Sequence, residues 1–194
     1  MTGSTLRLFT AVELPQEVVR HLTDITATLQ NLRIPGARWL SPQGIHLTFK
    51  FLGNTPVGQV SPITAAMRAA AEDVSPFTVN VHGFGAFPNM RNPRVVWTAI
   101  QGNLNPLAEL QHRLEEELES AGFAKDDRPF SPHLTLGRVR GRLAPQDIER
   151  LARAAEDVQP LDPVPLLVQA ISLMESKLTR NGAVYRRNSR VSLT

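Results

Sequence analysis

From Thr5 to Glu13 the chain alternates, with Leu6, Leu8, Thr10 and Val12 on one side and Arg7, Phe9, Ala11 and Glu13 on the other, the period of a β-strand. Pro15 ends it. Val18, Leu22, Ile25, Leu29 and Leu32 then recur at spacings of three and four, the stripe of an amphipathic helix, with Glu17 suited to the positive end of its dipole. After a break at Pro35 and Gly36, the β-compatible run Ile45 to Leu52 predicts a second strand, ended by the turn signal Gly53-Asn54. Ser61-Pro62 predicts a cap with proline at the first helical position, leading into a stripe of Ile63, Met67, Ala70 and Val74. Phe77 to Phe84 reads as a third strand.

The same order then returns. Arg94 to Ile100 alternates as a strand, and Asn105-Pro106 predicts the cap of a helix with Leu107, Leu110, Leu114, Leu118 and Ala121 on one face and Gly122 as its stop. His133 to Val139 is a further strand. After Gly141, Ile148, Leu151, Ala155 and Val158 mark a helix, and Val164 to Met174 a strand. His46 lies 30 residues after Gln16, near the start of the first helix, and His133 lies 28 after Asn105. That agreement predicts an internal duplication within a single domain, 1–194, with halves of roughly 5–84 and 94–174. A last strand, Ala183 to Val191, falls outside the repeat and must join one of the sheets.

Composition narrows the chemistry. Hydrophobic residues at 42% and charged residues at 20% suit one compact globular body and leave no stretch polar enough for a disordered tail. No apolar run approaches the ~18 residues that cross a bilayer, and Met1 to Glu13 lacks the pattern of a leader, so no membrane partner and a cytoplasmic location are expected. The absence of cysteine excludes disulfides, thiolate nucleophiles and cysteine-based metal sites. Of the 21 basic residues 18 are arginine, against 18 acidic residues. Guanidinium forks suit phosphate oxygens, which favours an anionic partner such as RNA or a nucleotide; genomic base composition produces the same bias.

The strands of the two halves that carry histidine read His46-Leu47-Thr48-Phe49 and His133-Leu134-Thr135-Leu136. Alternation puts His46 with Thr48 on one face and Leu47, Phe49 and Phe51 on the other, and separates His133 and Thr135 from Leu134 and Leu136 in the same way. A duplicated frame would bring two imidazoles and two hydroxyls toward one cleft. Such a set can cleave a phosphodiester without metal: one neutral imidazole accepts a proton from water while a protonated one donates to the leaving oxygen, and the hydroxyls hold the non-bridging oxygens. The residues alone do not say which imidazole plays which part. No further His, Asp or Glu stands at ligand spacing beside either motif, so no metal and no cofactor are expected. His21, His82 and His112 read as structural or exposed. Arg138, Arg140 and Arg142, with Arg180, Arg186, Arg187 and Arg190, form either an RNA-tracking patch or solvated strand edges. Gly83 and Gly85 lack the third glycine of a dinucleotide fingerprint, and no P-loop is present.

Taken in order, Arg7-Leu8-Phe9-Thr10-Ala11-Val12-Glu13-Leu14-Pro15, Trp39, His46 through Gly53, Gly83 through Pro88, Pro93 through Trp97, Phe130 through Arg138, and Glu175-Ser176 through Gly182 to Tyr185 resemble the two-histidine (2H) phosphoesterases. The resemblance is to their RNA 2′,3′-cyclic phosphodiesterase branch, also called 2′-5′ RNA ligases, and covers nearly the whole chain. It implies a bilobal α+β fold of two antiparallel sheets flanking a central cleft, with helices outside. It implies His46 as proton donor, His133 as proton acceptor, and Thr48 and Thr135 beside them. Arg138, Phe9, Phe130 and Tyr185 are the expected substrate-binding residues, Phe9 and Phe130 by stacking a base, with packing in the core as the alternative for both, and Arg138 from the wrong side of a strictly alternating strand. The expected partner is RNA ending in a 2′,3′-cyclic phosphate, tRNA fragments among the candidates, bound by a monomer. Hydrolysis to a 2′-phosphomonoester is the expected reaction, and ATP-independent 2′-5′ ligation its reverse. The alternatives are a cyclic nucleotide or 2′-5′ oligonucleotide phosphodiesterase with the same site, and an inactive RNA- or nucleotide-binding module; intact histidines and threonines in both motifs argue against the last.

Overall fold

A computed structural model describes residues 4–158, 162–179 and 182–194. Ten strands and four α-helices among them form an α+β fold with two sheets. In chain order they are β1 (Thr5–Glu13), α1 (Gln16–Asn31), β2 (Ala37–Trp39), β3 (His46–Pro56), α2 (Val60–Ala71), β4 (Phe77–Val81), β5 (Gly85–Phe87), β6 (Val95–Gln101), α3 (Asn105–Ser120), β7 (His133–Val139), α4 (Pro145–Val158), β8 (Val164–Val168), β9 (Ala170–Thr179) and β10 (Gly182–Ser192).

The first sheet has the order β10-β9-β1-β3, the second β2-β7-β6-β4-β8 with β5 also on β6. Neighbouring strands are antiparallel. Each sheet therefore draws strands from both ends of the chain: β4 leaves β1 and β3 to join β6, while β9 and β10 return to β1. Helix α2 packs on β9 and β10 and against α3, whereas α1 packs on β8, β2 and α4. The stripes that predict these helices are what they bury: Val18, Leu22, Ile25 and Leu29 from α1, Ile63, Met67 and Ala70 from α2, and Leu107, Leu110, Leu114 and Leu118 from α3 all join one apolar core. Among the described residues no helix is long and apolar enough to cross a membrane.

Gly122 stops α3 as expected. It has φ 92°, its N–H donates to the Glu119 carbonyl, and the Phe123 N–H donates to the Leu118 carbonyl, the paired bonds of a left-handed helix terminus. Other boundaries differ. The expected strand Val164 to Met174 is two strands in different sheets, since Val164–Val168 pairs with β4 and Ala170 onward with β9's own neighbours β1 and β10. The strand from Phe77 ends at Val81. Gly53-Asn54 does not end β3: Gly53 takes φ 70° opposite Leu8, and pairing continues to Pro56. Ser61 is no cap, because a 3-10 turn over Val57–Gln59 starts the helix at Val60. Asn105 is already helical; the Asn103 side chain accepts its N–H instead. Short β2 has too few residues to show a period.

Candidate active site

Strand β3 runs against β1 with His46 opposite Glu13 and Thr48 opposite Ala11. Beyond Thr48 the register slips, leaving Phe49 without a partner, and slips again at Leu52. An extra residue in one strand bends it and resets which face the next side chains take. Leu47 and Phe49 are buried, and so is Lys50, which plain alternation would put beside His46 and Thr48. Phe51 is 64% exposed and lines the same cleft as His46. That corrects the expectation that Phe51 shares the apolar face of Leu47 and Phe49. The inward Lys50 has its Nζ 2.6 Å from Glu115 Oε2 and 3.6 Å from Asp126, tying β3 to α3 and to the segment that leads into β7.

Strand β7 repeats the device. Trp97 on β6 is opposite Thr135 and Val96 opposite Gly137, so Leu136 is the extra residue. The slip brings Arg138 back beside Thr135 on the cleft wall. Both redirected residues, Phe51 and Arg138, stand five positions after a motif histidine. Gly137 has no room for a Cβ because the Trp39 ring lies across it, and Trp97 covers Gly85 in the same way.

The His46 ring stacks on Phe9, centroids 4.5 Å apart, and meets Tyr185 edge-on at 4.8 Å. Burial lowers its pKa from 6.5 to about 4, opposed in part by a hydrogen bond to the Gly44 backbone and by the negative charge of Glu13. Glu13 is itself held: Arg187 Nη1 donates to both carboxylate oxygens at 3.1 and 3.2 Å, and the Ser172 hydroxyl donates to one of them. His133 Nδ1 lies 2.7 Å from the Ser131 carbonyl oxygen, which only accepts, so Nδ1 carries the hydrogen and Nε2 is the free nitrogen. Its ring meets Phe87 edge-on at 5.0 Å, with Trp97 at 6.3 Å. Each imidazole thus bonds to backbone two residues upstream and rests against a pair of aromatic rings.

His46, Thr48, Thr135, Arg138 and Tyr185 line one cleft of about 650 Å³. His133 does not line that volume; it precedes Thr135 by two residues, on the same face of β7. Two of the expected aromatic contacts are corrected. Phe9 is 1% exposed and its ring face is occupied by His46, so it backs the imidazole and cannot stack a base. Phe130 stacks on Phe49, on the apolar side of β3, with centroids 5.9 Å apart, and packs against the core.

The sequence does not single out Glu13, Ser172, Phe87 and Trp97 as site residues, and it reads Arg187 only as one of a group of arginines. Glu13 carries a signal, since it shares a strand face with Phe9; the pairing of Ser172 and Arg187 with it carries none, because only long-range pairing brings β9 and β10 to β1. Of the remaining histidines, His112 pairs with Glu116 on the surface at 3.3 Å, and burial lowers the pKa of His21. Arg186 and Arg187 are engaged by Glu175 and Glu13, and Arg180 lies outside the described residues. No group of three or more His, Cys, Asp or Glu side chains among the described residues could hold a metal ion.

Two antiparallel sheets, each presenting a His-x-Thr strand, define a class, and the comparisons agree: the model of the 2'-5' RNA ligase superfamily matches residues 15–180, and the chain belongs to that family. Within it, the chain is 32% identical over 180 residues to the RNA 2',3'-cyclic phosphodiesterase of Methanothermobacter thermautotrophicus, covering 93% of this chain and 95% of that one. It is 32% identical to the protein of the same name from Thermotoga maritima, covering 93% and 92%. The crystal structure of TT0787 of Thermus thermophilus superposes with TM-score 0.75 at 29% identity, over 97% of this chain and 98% of that one. E. coli LigT complexed with 3'-AMP shares the fold, with TM-score 0.72 at 22% identity over 98% and 99% of the two chains.

Proposed function

We propose that this chain is a metal-independent RNA 2′,3′-cyclic phosphodiesterase whose acid and base are the two motif histidines. The observation that carries the reading is the repetition of one arrangement on β3 and β7: histidine, threonine two residues on, a bulge, and an imidazole held from its second upstream neighbour. The names of the relatives at 32% identity supply the substrate. A pseudo-two-fold duplication accounts for the repetition. β1 and β3 correspond to β6 and β7, and the third strand of each half is exchanged, β4 lying beside β6 as β9 lies beside β1.

In the reaction, His133 takes a proton from water through Nε2 as the water oxygen bonds to phosphorus. The P–O3′ bond breaks on the opposite side, and the leaving oxygen receives its proton from His46. Thr48 and Thr135 donate to the non-bridging oxygens, and the Arg138 guanidinium meets the charge that develops on them. The phosphate stays on O2′. His46 becomes neutral and His133 cationic, and exchange with bulk water restores both. The direction of proton flow follows the family resemblance. Because burial holds His46 neutral in the free protein, it gains its proton alongside the phosphate anion, whose charge favours imidazolium. With a 5′-hydroxyl RNA attacking phosphorus in place of water, the same steps in the same direction break P–O3′ and make a 2′-5′ junction without ATP.

Turnover of an oligoribonucleotide ending in a 2′,3′-cyclic phosphate, after exhaustive chelation, tests the activity; no turnover by folded protein overturns it. A substrate with sulfur in place of O3′ tests the donor. A thiol of pKa about 8.5 leaves without help, so His46→Ala should recover on that substrate and His133→Ala should not.

A further inference from the structure

The cleft carries more positive charge than a single phosphate needs. Besides Arg138, it is lined by Arg7 on β1, Arg38 on β2 and Arg140 just past β7, all exposed. Among the described residues none of the four has a carboxylate within 4 Å, whereas Arg150, Arg153, Arg186 and Arg187 elsewhere are each paired. Arg38 and Arg138 are directly opposed across the β2–β7 ladder, a placement in which like charges repel. Arg38 also reaches across the cleft: a Cβ on Gly182, at the start of β10, would lie 3.1 Å from its Nη2. Alongside stand two side chains whose exposure folding alone does not explain, Phe51 at 64% and Leu178 at 72%. A guanidinium-lined groove with an open aromatic face is how proteins hold single-stranded nucleic acid, charges on the phosphates and bases on the ring.

We infer that Arg7, Arg38 and Arg140 bind the backbone phosphates on the 5′ side of the cyclic end, with Phe51 as a base platform, so that the preferred substrate is an oligonucleotide and not a 2′,3′-cyclic mononucleotide. The inference rests on the activity proposed above. A mononucleotide has one phosphate, which the histidines, threonines and Arg138 engage in the reaction proposed above, and it leaves the other three cleft-lining guanidiniums without one. Arg142, two residues beyond Arg140, is exposed but does not line the cleft, and has no part in the set.

The test compares kcat/KM for a 2′,3′-cyclic-phosphate trinucleotide and the matching mononucleotide at increasing NaCl. The trinucleotide should be favoured at least tenfold at low salt. Its logarithmic salt slope should be steeper by up to ~1.4, at ~0.7 for each of two single-strand phosphates. Arg7→Gln, Arg38→Gln and Arg140→Gln should each lower the trinucleotide-to-mononucleotide ratio about fivefold and flatten the slope, and Arg142→Gln should not. Equal rates and slopes for the two substrates, or loss on both in equal proportion, would overturn the inference. If neither substrate turns over, the activity has failed; fluorescence anisotropy with a trinucleotide ending in a 2′-phosphate then decides this point, since salt-sensitive binding weakened by Arg38→Gln upholds it and unweakened binding, or none, refutes it. Competition by a nucleoside triphosphate as strong as by the trinucleotide would also refute it, the groove then reading condensed phosphates.

Discussion

Protonating His46 in the free protein works against the fold, and the site sets by how much. A pKa of about 4 in place of 6.5 amounts to ~3 kcal/mol in favour of the neutral ring. The unfolded chain takes up this proton near pH 6.5 and the folded chain only near 4, so between those values the unfolded state holds more protons and stability rises with pH. Above about pH 6.5 both states are neutral at this position and nothing is lost; as the pH falls to 4, His46 removes up to ~3 kcal/mol. Urea denaturation of wild type and His46→Gln at half-unit steps from pH 7 to 4 isolates the effect, because every other group titrates in both. The gap between the two curves should close or reverse by ~3 kcal/mol across that window. Imidazole NMR should place the His46 midpoint near 4 in the free protein, and higher by a unit or more with a nucleoside 2′-monophosphate bound, since the anion favours imidazolium. Parallel stability curves, or a midpoint near 6.5 in the free protein, would refute the account of how burial against Phe9 and Tyr185 sets this group.

His46→Ala and His133→Ala should each reduce kcat ~100- to 10,000-fold with unchanged circular dichroism, and the double variant should be little worse, because the pair acts as a unit. Thr48→Ser and Thr135→Ser should retain more steady-state activity than the valine variants, which keep the branched shape and lose the donor. Lys50→Met strands the Glu115 carboxylate in the interior and should cost ~3–5 kcal/mol in urea denaturation, most of it recovered by adding Glu115→Leu.

The histidines and threonines are legible in the sequence because alternation over three residues is purely local, and His46-Leu47-Thr48 and His133-Leu134-Thr135 have no bulge inside them. One residue further on, that logic fails. The extra residues at Phe49 and Leu136 depend on pairing with β1 and β6, so the inward turn of Lys50 and the outward turn of Phe51 and Arg138 have no local signature. The helices α1, α2 and α3 follow from stripes that recur over several turns, and α1 and α3 start where those stripes place them; what differs is the capping, since a 3-10 turn leads into α2 and the Asn103 side chain takes the Asn105 N–H at α3. Val164 to Met174 reads as one strand since its apolar residues run on through the point where the chain changes sheets at Gln169. The base-stacking role expected of Phe9 and Phe130 went to core packing, because an aromatic beside a motif gives no sign of which face its neighbours will occupy.

The most direct measurement locates the phosphate in the product. RNA ending in a 2′,3′-cyclic phosphate is incubated with chelator-treated protein, and the end group is identified by phosphorus NMR and by resistance to a 3′-phosphate-specific phosphatase. Donation from His46 to the leaving O3′, with water activated by His133 on the far side of phosphorus, predicts a 2′-monophosphate formed at the same rate with or without chelator. A 3′-monophosphate, or turnover that stops on chelation and returns with a divalent cation, would contradict it.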